Sequence, residues 1–252
     1  MEIYKILAIL GALAWTYPLA IWIRNLLTKT KLEIINHKQL EIGYTTNGPI
    51  VNIDLAFSAI DKDAFIRKVS IKLEHENKEN IELQWEWFEE VLLEMDIPDS
   101  GIVPYRKNQK AIAIKVPVET LIEKKIGFQS KKFKSEYSKL YSSTNQKQIN
   151  ISENQQDLQQ LKTTNEYNDF LSLFKNHFPW KKGKYEGIIE VEIAERKNVF
   201  SQNFSFELTT LDIKNLETNI QTCQKLVEVH FVSPDPEFRA NWKWTNPFDL
   251  EK

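Results

Sequence analysis

Residues 6–23 form an uninterrupted run of uncharged, mostly apolar side chains near the start of the chain. A bilayer core of about 30 Å needs roughly 20 apolar residues in a helix, so this run predicts a transmembrane helix that precedes a globular domain. Two alternatives are a secretory signal cleaved after the small residues at 12–14 and a helix buried in a protein core. The candidate anchor side chains are Ile6, Leu10, Leu13, Trp15, Leu19 and Trp22.

Basic residues flank this run unequally. Four of them follow it between positions 24 and 38, whereas Lys5 alone precedes it. Because Lys and Arg favour the cytoplasmic side of a membrane, the sequence predicts a single-pass protein of the cell membrane with its domain in the cytoplasm. Cys223 is the sole cysteine and excludes an intramolecular disulfide, which agrees with a reducing compartment.

Alternation of apolar and polar residues dominates the chain after residue 28 and predicts a mainly-β fold. The clearest case is residues 81–87, where Ile81, Leu83, Trp85 and Trp87 share one face of the predicted strand. The other predicted elements are strands at 32–36, 39–44, 50–57, 65–74, 111–118, 189–193, 200–209 and 225–232, a helical turn at 88–95, and helices at 165–178 and 210–220.

A different composition begins after residue 123. Residues 131–162 are rich in Lys, Ser, Asn and Gln, so they can bury little apolar surface and are interpreted as a polar, partly helical insertion. The predicted organisation is a membrane anchor at 1–27, a first part of a β-sandwich at 28–123, the insertion at 124–178, and a second part with an aromatic tail at 179–252.

Gly183, Tyr185 and the alternating strand at 189–193 follow one another in the second part. This arrangement resembles the immunoglobulin-like β-sandwich superfamily, at the level of the fold and over about residues 32–232. The resemblance implies that Tyr185 is a structural corner whose hydroxyl bonds to upstream backbone. The expected fold class is therefore a mainly-β, immunoglobulin-like sandwich with a polar and helical insertion, preceded by one N-terminal transmembrane helix. The chain departs from antibody-type domains because it lacks a cysteine pair.

The charges are unevenly distributed although the net charge is only −2. Acidic residues concentrate between 74 and 99 and basic residues between 106 and 147, so the two segments can neutralise each other in the fold. Alternatively, lysines interleaved with aromatic residues could contact anionic lipid head groups. Single-stranded nucleic acid would use the same groups but is not expected for a tethered domain. The candidate contact residues are Lys124, Lys125, Lys131, Lys132, Lys134 and Lys139.

Trp242, Trp244 and Phe248 give the C-terminal segment a strongly aromatic character. Large apolar side chains are costly to leave in water, so they are expected to dock on a surface. The two interpretations are packing back on the domain itself, or exposure as an aromatic anchor for a protein partner or a sugar-stacking surface.

The sequence carries no motif that predicts catalysis. It has no glycine-rich phosphate loop and no nucleophile elbow, and its histidines lack metal-ligand spacing. Glu86, Glu89 and Glu90 are interpreted as solvated carboxylates. The histidines are His37, His75, His177 and His230.

These features together predict a non-enzymatic interaction module without cofactor or metal, whose partners are the lipid bilayer and a protein. The leading hypothesis is a scaffold or accessory subunit of a membrane complex. The alternatives are a carbohydrate- or ligand-binding module on the outer side of the cell envelope and, third, an enzyme whose site the sequence does not reveal.

Overall fold

The computed structural model describes residues 15–20, 22–23, 29–97, 101–194, 199–248 and 250. The strands are β1 (Lys31–Thr45), β2 (Gly48–Ile60), β3 (Ala64–His75), β4 (Asn80–Ile97), β5 (Gly101–Lys110), β6 (Ile114–Val116), β7 (Leu121–Gln129), β8 (Gly183–Ile193) and β9 (Val199–Leu208). The helices are α1 (Lys131–Glu153), α2 (Asn165–Asn176) and α3 (Thr210–Phe231), with a 3₁₀ helix (Leu158–Thr163) between the first two.

The strands form one antiparallel sheet. Its order is β1-β2-β7-β4-β3-β8-β9, with β5 paired to β4 and β6 paired to β3. The last strand, β9, contacts the first, β1, so the sheet is nearly closed on itself. Alternate side chains point inward, as in β2, where Val51, Ile53, Leu55 and Phe57 are buried.

The three helices share the core enclosed by this sheet. The rings of Phe133 in α1 and Phe174 in α2 have centroids 6.2 Å apart, and those of Phe170 in α2 and Phe231 in α3 are 6.1 Å apart. The Tyr44 hydroxyl of β1 donates a buried hydrogen bond to the Phe174 carbonyl at 2.9 Å. Burial of each phenylalanine contributes about 1.5–3 kcal/mol, so these rings fix the helices against β1.

The C-terminal segment, residues 242–250, connects the two edges of the sheet; residue 249 lies outside the described part. The Ile42 amide donates to the Thr245 carbonyl at 2.8 Å, and the Thr245 amide donates back at 3.0 Å. At the other end, the Leu250 amide donates to the Ser205 carbonyl of β9 at 2.7 Å. The segment therefore satisfies backbone groups that edge strands leave unpaired.

The predicted transmembrane anchor is wrong. Among the residues that the structure describes, no helix is long and apolar enough to span a bilayer, which removes the basis for single-pass cell-membrane localisation. Trp15, Leu19 and Trp22 are exposed, whereas Ile6, Leu10 and Leu13 lie outside the described residues.

The immunoglobulin-like part of the predicted fold is not confirmed. The described strands form one antiparallel sheet whose ends approach each other, which is consistent with a β-sandwich-like fold but is not specific to the immunoglobulin superfamily. Residues 225–232, predicted as a strand, belong almost entirely to α3, whose capping box at Thr209 and Asp212 starts a helix that runs to Phe231. Residues 88–95, predicted as a helical turn, continue β4.

Other predictions are confirmed. The mainly-β character holds, the strands at 50–57, 65–74 and 81–87 lie within β2, β3 and β4, and the helix at 165–178 is α2. The first residues of the predicted insertion, 124–129, belong to β7, which lies between β2 and β4. The remainder of the segment is largely helical.

Tyr185 is fully buried, and its ring stacks on Phe206 with centroids 4.9 Å apart. Its hydroxyl accepts a hydrogen bond from the Lys181 amide at 2.7 Å and donates to the Lys181 carbonyl at 3.1 Å. Burial, the larger effect, raises the pKa of this hydroxyl to about 12.

Tyr185→Phe is expected to lower the free energy of unfolding by about 1–2 kcal/mol, because both backbone groups of Lys181 lose their partner while the ring contacts remain. Urea unfolding followed by circular dichroism measures this change. Tyr105→Phe removes a hydroxyl from an exposed side chain and should change the stability by less than about 0.5 kcal/mol. Equal effects of the two substitutions would contradict the role of the Lys181 bonds.

Candidate functional site

Four strands place a row of side chains on the outer face of the sheet. Glu41 of β1 pairs with Asn52 of β2, Asn52 pairs with Gly127 of β7, and Gly127 pairs with Trp87 of β4. Paired residues of antiparallel strands share a face, so these four positions lie side by side across the sheet. Val51 and Ile53 point to the opposite face, into the core.

An irregularity in β4 directs Trp87 to this outer face. The pairing of β4 with β7 shifts register between Trp85 and Trp87, which leaves Glu86 as an extra residue. Trp85 is therefore buried in the core, while the Trp87 ring lies against Gly127. A Cβ at position 127 would lie 2.1 Å from the ring, so this contact requires glycine. The prediction that both tryptophans share one face is wrong, because a bulge reverses the alternation.

A second glycine receives Trp244 from the C-terminal segment. A Cβ at Gly43 of β1 would lie 2.3 Å from the Trp244 ring. The Trp180 indole donates to the Gly43 carbonyl at 3.0 Å and fixes the strand at this point. Trp244 remains 38% exposed, and Trp242 is partly buried.

Helix α3 holds the segment that carries these two tryptophans. The buried Asn219 amide donates to the Lys243 carbonyl at 2.7 Å, and its oxygen accepts from the Lys243 amide at 2.9 Å. One turn from the start of the helix, Asp212 accepts a hydrogen bond from the Thr245 hydroxyl. Both neighbours of Trp244 in the chain are therefore bound to α3.

Trp87, Trp242 and Trp244 line one concave pocket of about 420 Å³, here called the tryptophan pocket. Its volume lies within the range of small-molecule sites. The other lining residues are mostly amides, hydroxyls and charged groups: Glu41, Thr45, Thr46, Asn47, Ile50, Asn52, Glu89, Asn108, Lys125 and Gln129. Flat aromatic surfaces and hydrogen-bonding groups thus occur in the same depression.

Asn52 is the unusual member of this lining, because it is buried and only half paired. It is 6% exposed, and its amide nitrogen donates to Glu41 Oε2 at 3.1 Å. Lys125 Nζ donates to the other Glu41 oxygen at 2.6 Å. Within the described part of the chain, Asn52 Oδ1 is the one buried side-chain oxygen or nitrogen that has no hydrogen-bond partner. An unsatisfied buried acceptor costs about 1–3 kcal/mol.

The lysines predicted to contact an anionic surface are divided between two elements. Lys124 and Lys125 lie in β7, where Lys124 is 3.6 Å from Glu90 and lies over the Phe88 ring. The remaining four, Lys131, Lys132, Lys134 and Lys139, lie on α1 and are exposed. The interleaved aromatic residues do not accompany them: Phe128 and Phe133 are buried, and Tyr137 and Tyr141 pack against the core.

The acidic and basic segments partly neutralise each other, as one sequence interpretation expects. Arg106 contacts Glu89 at 2.9 Å, and Lys134 forms an ion pair with Glu86. Together with the contact of Lys124 and Glu90, these pairs connect β4 with β5, β7 and α1. Exposed ion pairs of this kind contribute about 0–1 kcal/mol each to the free energy of unfolding. Their main effect is therefore to neutralise charge locally.

Three histidines have side-chain or backbone partners far away in the chain. His75 lies 3.1 Å from the Lys182 carbonyl, His177 lies 2.6 Å from Glu136, and His230 lies 2.8 Å from the Tyr141 hydroxyl. Among the described residues, no group of three or more His, Cys, Asp or Glu is placed to hold a metal ion. Cys223 is buried, and that burial raises the pKa of its thiol.

Sequence reasoning singled out Trp242 and Trp244 but missed Asn52, Gly127 and the reorientation of Trp87. The outward positions of β2 alternate as on a solvated surface, so the sequence does not distinguish Asn52 from an ordinary exposed polar residue. Phe248, predicted with the two tryptophans, is 66% exposed and lies outside the pocket.

Comparison with known proteins gives no family. No protein-family model matches the chain, and no curated protein matches it. Similar solved structures include a family 123 glycoside hydrolase from Clostridium perfringens (13% identity, TM-score 0.34) and the sporulation control protein Spo0M from Bacillus subtilis (10% identity, TM-score 0.29). The matches cover 72% and 79% of this chain, which spans only 28% and 56% of those chains. Neither likeness is close enough to indicate a function.

Acid is expected to loosen the C-terminal segment through Asp212. Partial burial raises the pKa of this carboxyl, but hydrogen bonds from Thr209 and Thr245 outweigh it and leave the pKa below its usual value. The pKa of Asp212 is lower in the folded state than in the unfolded state. Its contribution to the free energy of unfolding is therefore complete above the ordinary value of about 4 and is lost as the pH falls through the folded-state value.

Thermal unfolding of the wild type and of Asp212→Asn between about pH 6 and pH 2 measures this contribution. The difference in melting temperature should be largest near neutral pH and shrink in acid. Asp169→Asn, on the exposed face of α2, is the matched control and should show no such trend. A difference for Asp212→Asn that is independent of pH would contradict the assignment.

Proposed function

We propose that this chain is a non-catalytic binding module whose tryptophan pocket takes a neutral oligosaccharide. A sugar ring presents a C–H face that packs on an aromatic surface, while its hydroxyls donate and accept hydrogen bonds at the rim. The pocket offers three indole rings and a rim of amides and hydroxyls. The observation that carries the proposal is the occurrence of these aromatic surfaces and hydrogen-bonding groups in one depression.

Asn52 supports a ligand because the fold itself does not use its oxygen. Leucine has a similar size and would avoid the cost of an unsatisfied acceptor at this buried position. Asn52 Oδ1 is shielded in the unliganded protein, so a sugar hydroxyl would supply the missing partner only when the Asn52 amide turns toward the pocket. Glu41 accepts from the Asn52 nitrogen with one oxygen and from Lys125 with the other, so turning the Asn52 amide would cost the first of these bonds.

Two carboxylates of the pocket are each held by a basic side chain. Glu41 is bound to Lys125 at 2.6 Å, and Glu89 is bound to Arg106 at 2.9 Å. Each carboxylate is therefore fixed in position and presents hydrogen-bond acceptors to the hydroxyls of a ligand.

The shape of the site favours a small ligand over a protein partner. The rings line a concave pocket, and Trp87 and Trp242 are each only partly exposed. A protein interface of standard size buries about 800 Å² on each partner, whereas this pocket fits one or two sugar rings.

Titration with hexasaccharides of cellulose, chitin, starch and laminarin tests the proposal. Binding of at least one should shift the tryptophan emission and the indole N–H resonances in nuclear magnetic resonance spectra. Asn52→Leu should weaken that binding by about tenfold or more, the value of roughly one lost hydrogen bond in a buried site. The variant also loses the bond from Asn52 to Glu41, so its thermal unfolding is measured alongside to show that it is folded.

Asn203→Leu, on the exposed outer edge of β9, is the matched control and should leave the affinity unchanged. Trp244→Phe provides a second test of the affinity. It reduces the aromatic area available for stacking but keeps a ring over Gly43, so it should also weaken binding. Two results would overturn the proposal: no spectral change with any of the four sugars at millimolar concentration, or equal affinity of wild type and Asn52→Leu.

A further inference from the structure

A second depression lies on the other side of the β4 irregularity. It has a volume of about 720 Å³ and is formed by residues of β3, β4, β5, β8 and the first turns of α1. Its basic residues come from three of these elements, and we call it the cationic cleft. They are Arg67, Lys68, Lys110, Lys131 and Lys134.

The acidic residues of the cleft do not balance these charges. Glu86 and Glu192 are its two carboxylates, and Glu86 is engaged by Lys134. No described residue forms an ion pair with Lys110 or Lys131, and both side chains are exposed. Five basic groups against two acidic ones leave an excess of positive charge in a concave space, where low-dielectric walls concentrate the potential.

Helix α1 strengthens this positive potential. Its first turn contains no acidic residue, and Lys131, Lys132 and Lys134 stand where the helix dipole favours negative charge. Ser130 caps the helix through the Phe133 amide at 3.3 Å. The hydroxyls of Ser135 and Ser138 and the amide of Gln84 also line the cleft and can donate to anionic oxygens.

We propose that the cationic cleft binds a small ligand that carries at least two phosphate or sulfate groups. The basic side chains come from β3, β5 and α1 and line a space of about 720 Å³, which is larger than one phosphate group, so it accommodates a ligand with more than one. Trp85, the one aromatic residue of the lining, is buried in the core, so the cleft offers no stacking surface for nucleic-acid bases. The assignment is independent of the saccharide proposal for the tryptophan pocket.

Calorimetric titration of the full chain with sodium tripolyphosphate tests the assignment. Saturable binding is expected, and it should weaken several-fold when the salt concentration rises from about 50 to 200 mM, because exposed charges are screened. The double variant Lys110→Gln/Lys131→Gln should weaken binding by about tenfold or more. Neither side chain has an ion pair with a described residue to lose, so the fold should be retained.

Lys139→Gln/Lys214→Gln is the matched control, because it removes the same charge from exposed positions outside the cleft. Its affinity for tripolyphosphate should stay within about twofold of the wild type. Three outcomes would overturn the proposal: no binding at millimolar tripolyphosphate, equal weakening by both double variants, or tighter binding of a thymidine dodecanucleotide than of tripolyphosphate. Equal weakening by both double variants would mean that the net charge of the protein, and not the cleft, determines the affinity.

Discussion

The two hydrogen bonds between Asn219 and the backbone of Lys243 hold the C-terminal segment in place. Asn219 is fully buried in α3, so its amide can be satisfied only by that segment. The segment in turn pairs with β1 at Thr245 and with β9 at Leu250. Asn219 thus links the helical layer to a segment that pairs with both edges of the sheet.

This constraint explains why the tryptophan pocket includes residues from opposite ends of the chain. Trp244 reaches the face of β1 because its neighbours, Lys243 and Thr245, are fixed on α3 and β1. Gly43 then allows the indole to approach the strand backbone, as Gly127 does for Trp87. Two of the three indole rings that line the pocket thus stand on a sheet face that would otherwise be open to water.

Local pattern predicted the inner face of the sheet well, because alternation in β2 and β3 reports burial directly. The same pattern gave wrong predictions where residues distant in the chain determine the local structure. Residues 225–232 alternate like a strand, yet the capping box at Thr209 starts a helix that continues through them to Phe231. The outer-face site could not be predicted, since it depends on the register of Asn52 with Gly127, which joins residues far apart in sequence.

The extra residue in β4 organises the remaining surface. Glu86 points toward α1 and binds Lys134, while its own carbonyl accepts from the Ala111 amide at 2.9 Å. The next residue, Trp87, faces the opposite depression. An insertion of one residue therefore separates a cationic cleft from an aromatic, amide-rich pocket within a few ångströms along one strand. A regular β4 would have sent Trp87 into the core with Trp85 and left neither depression with its present chemistry.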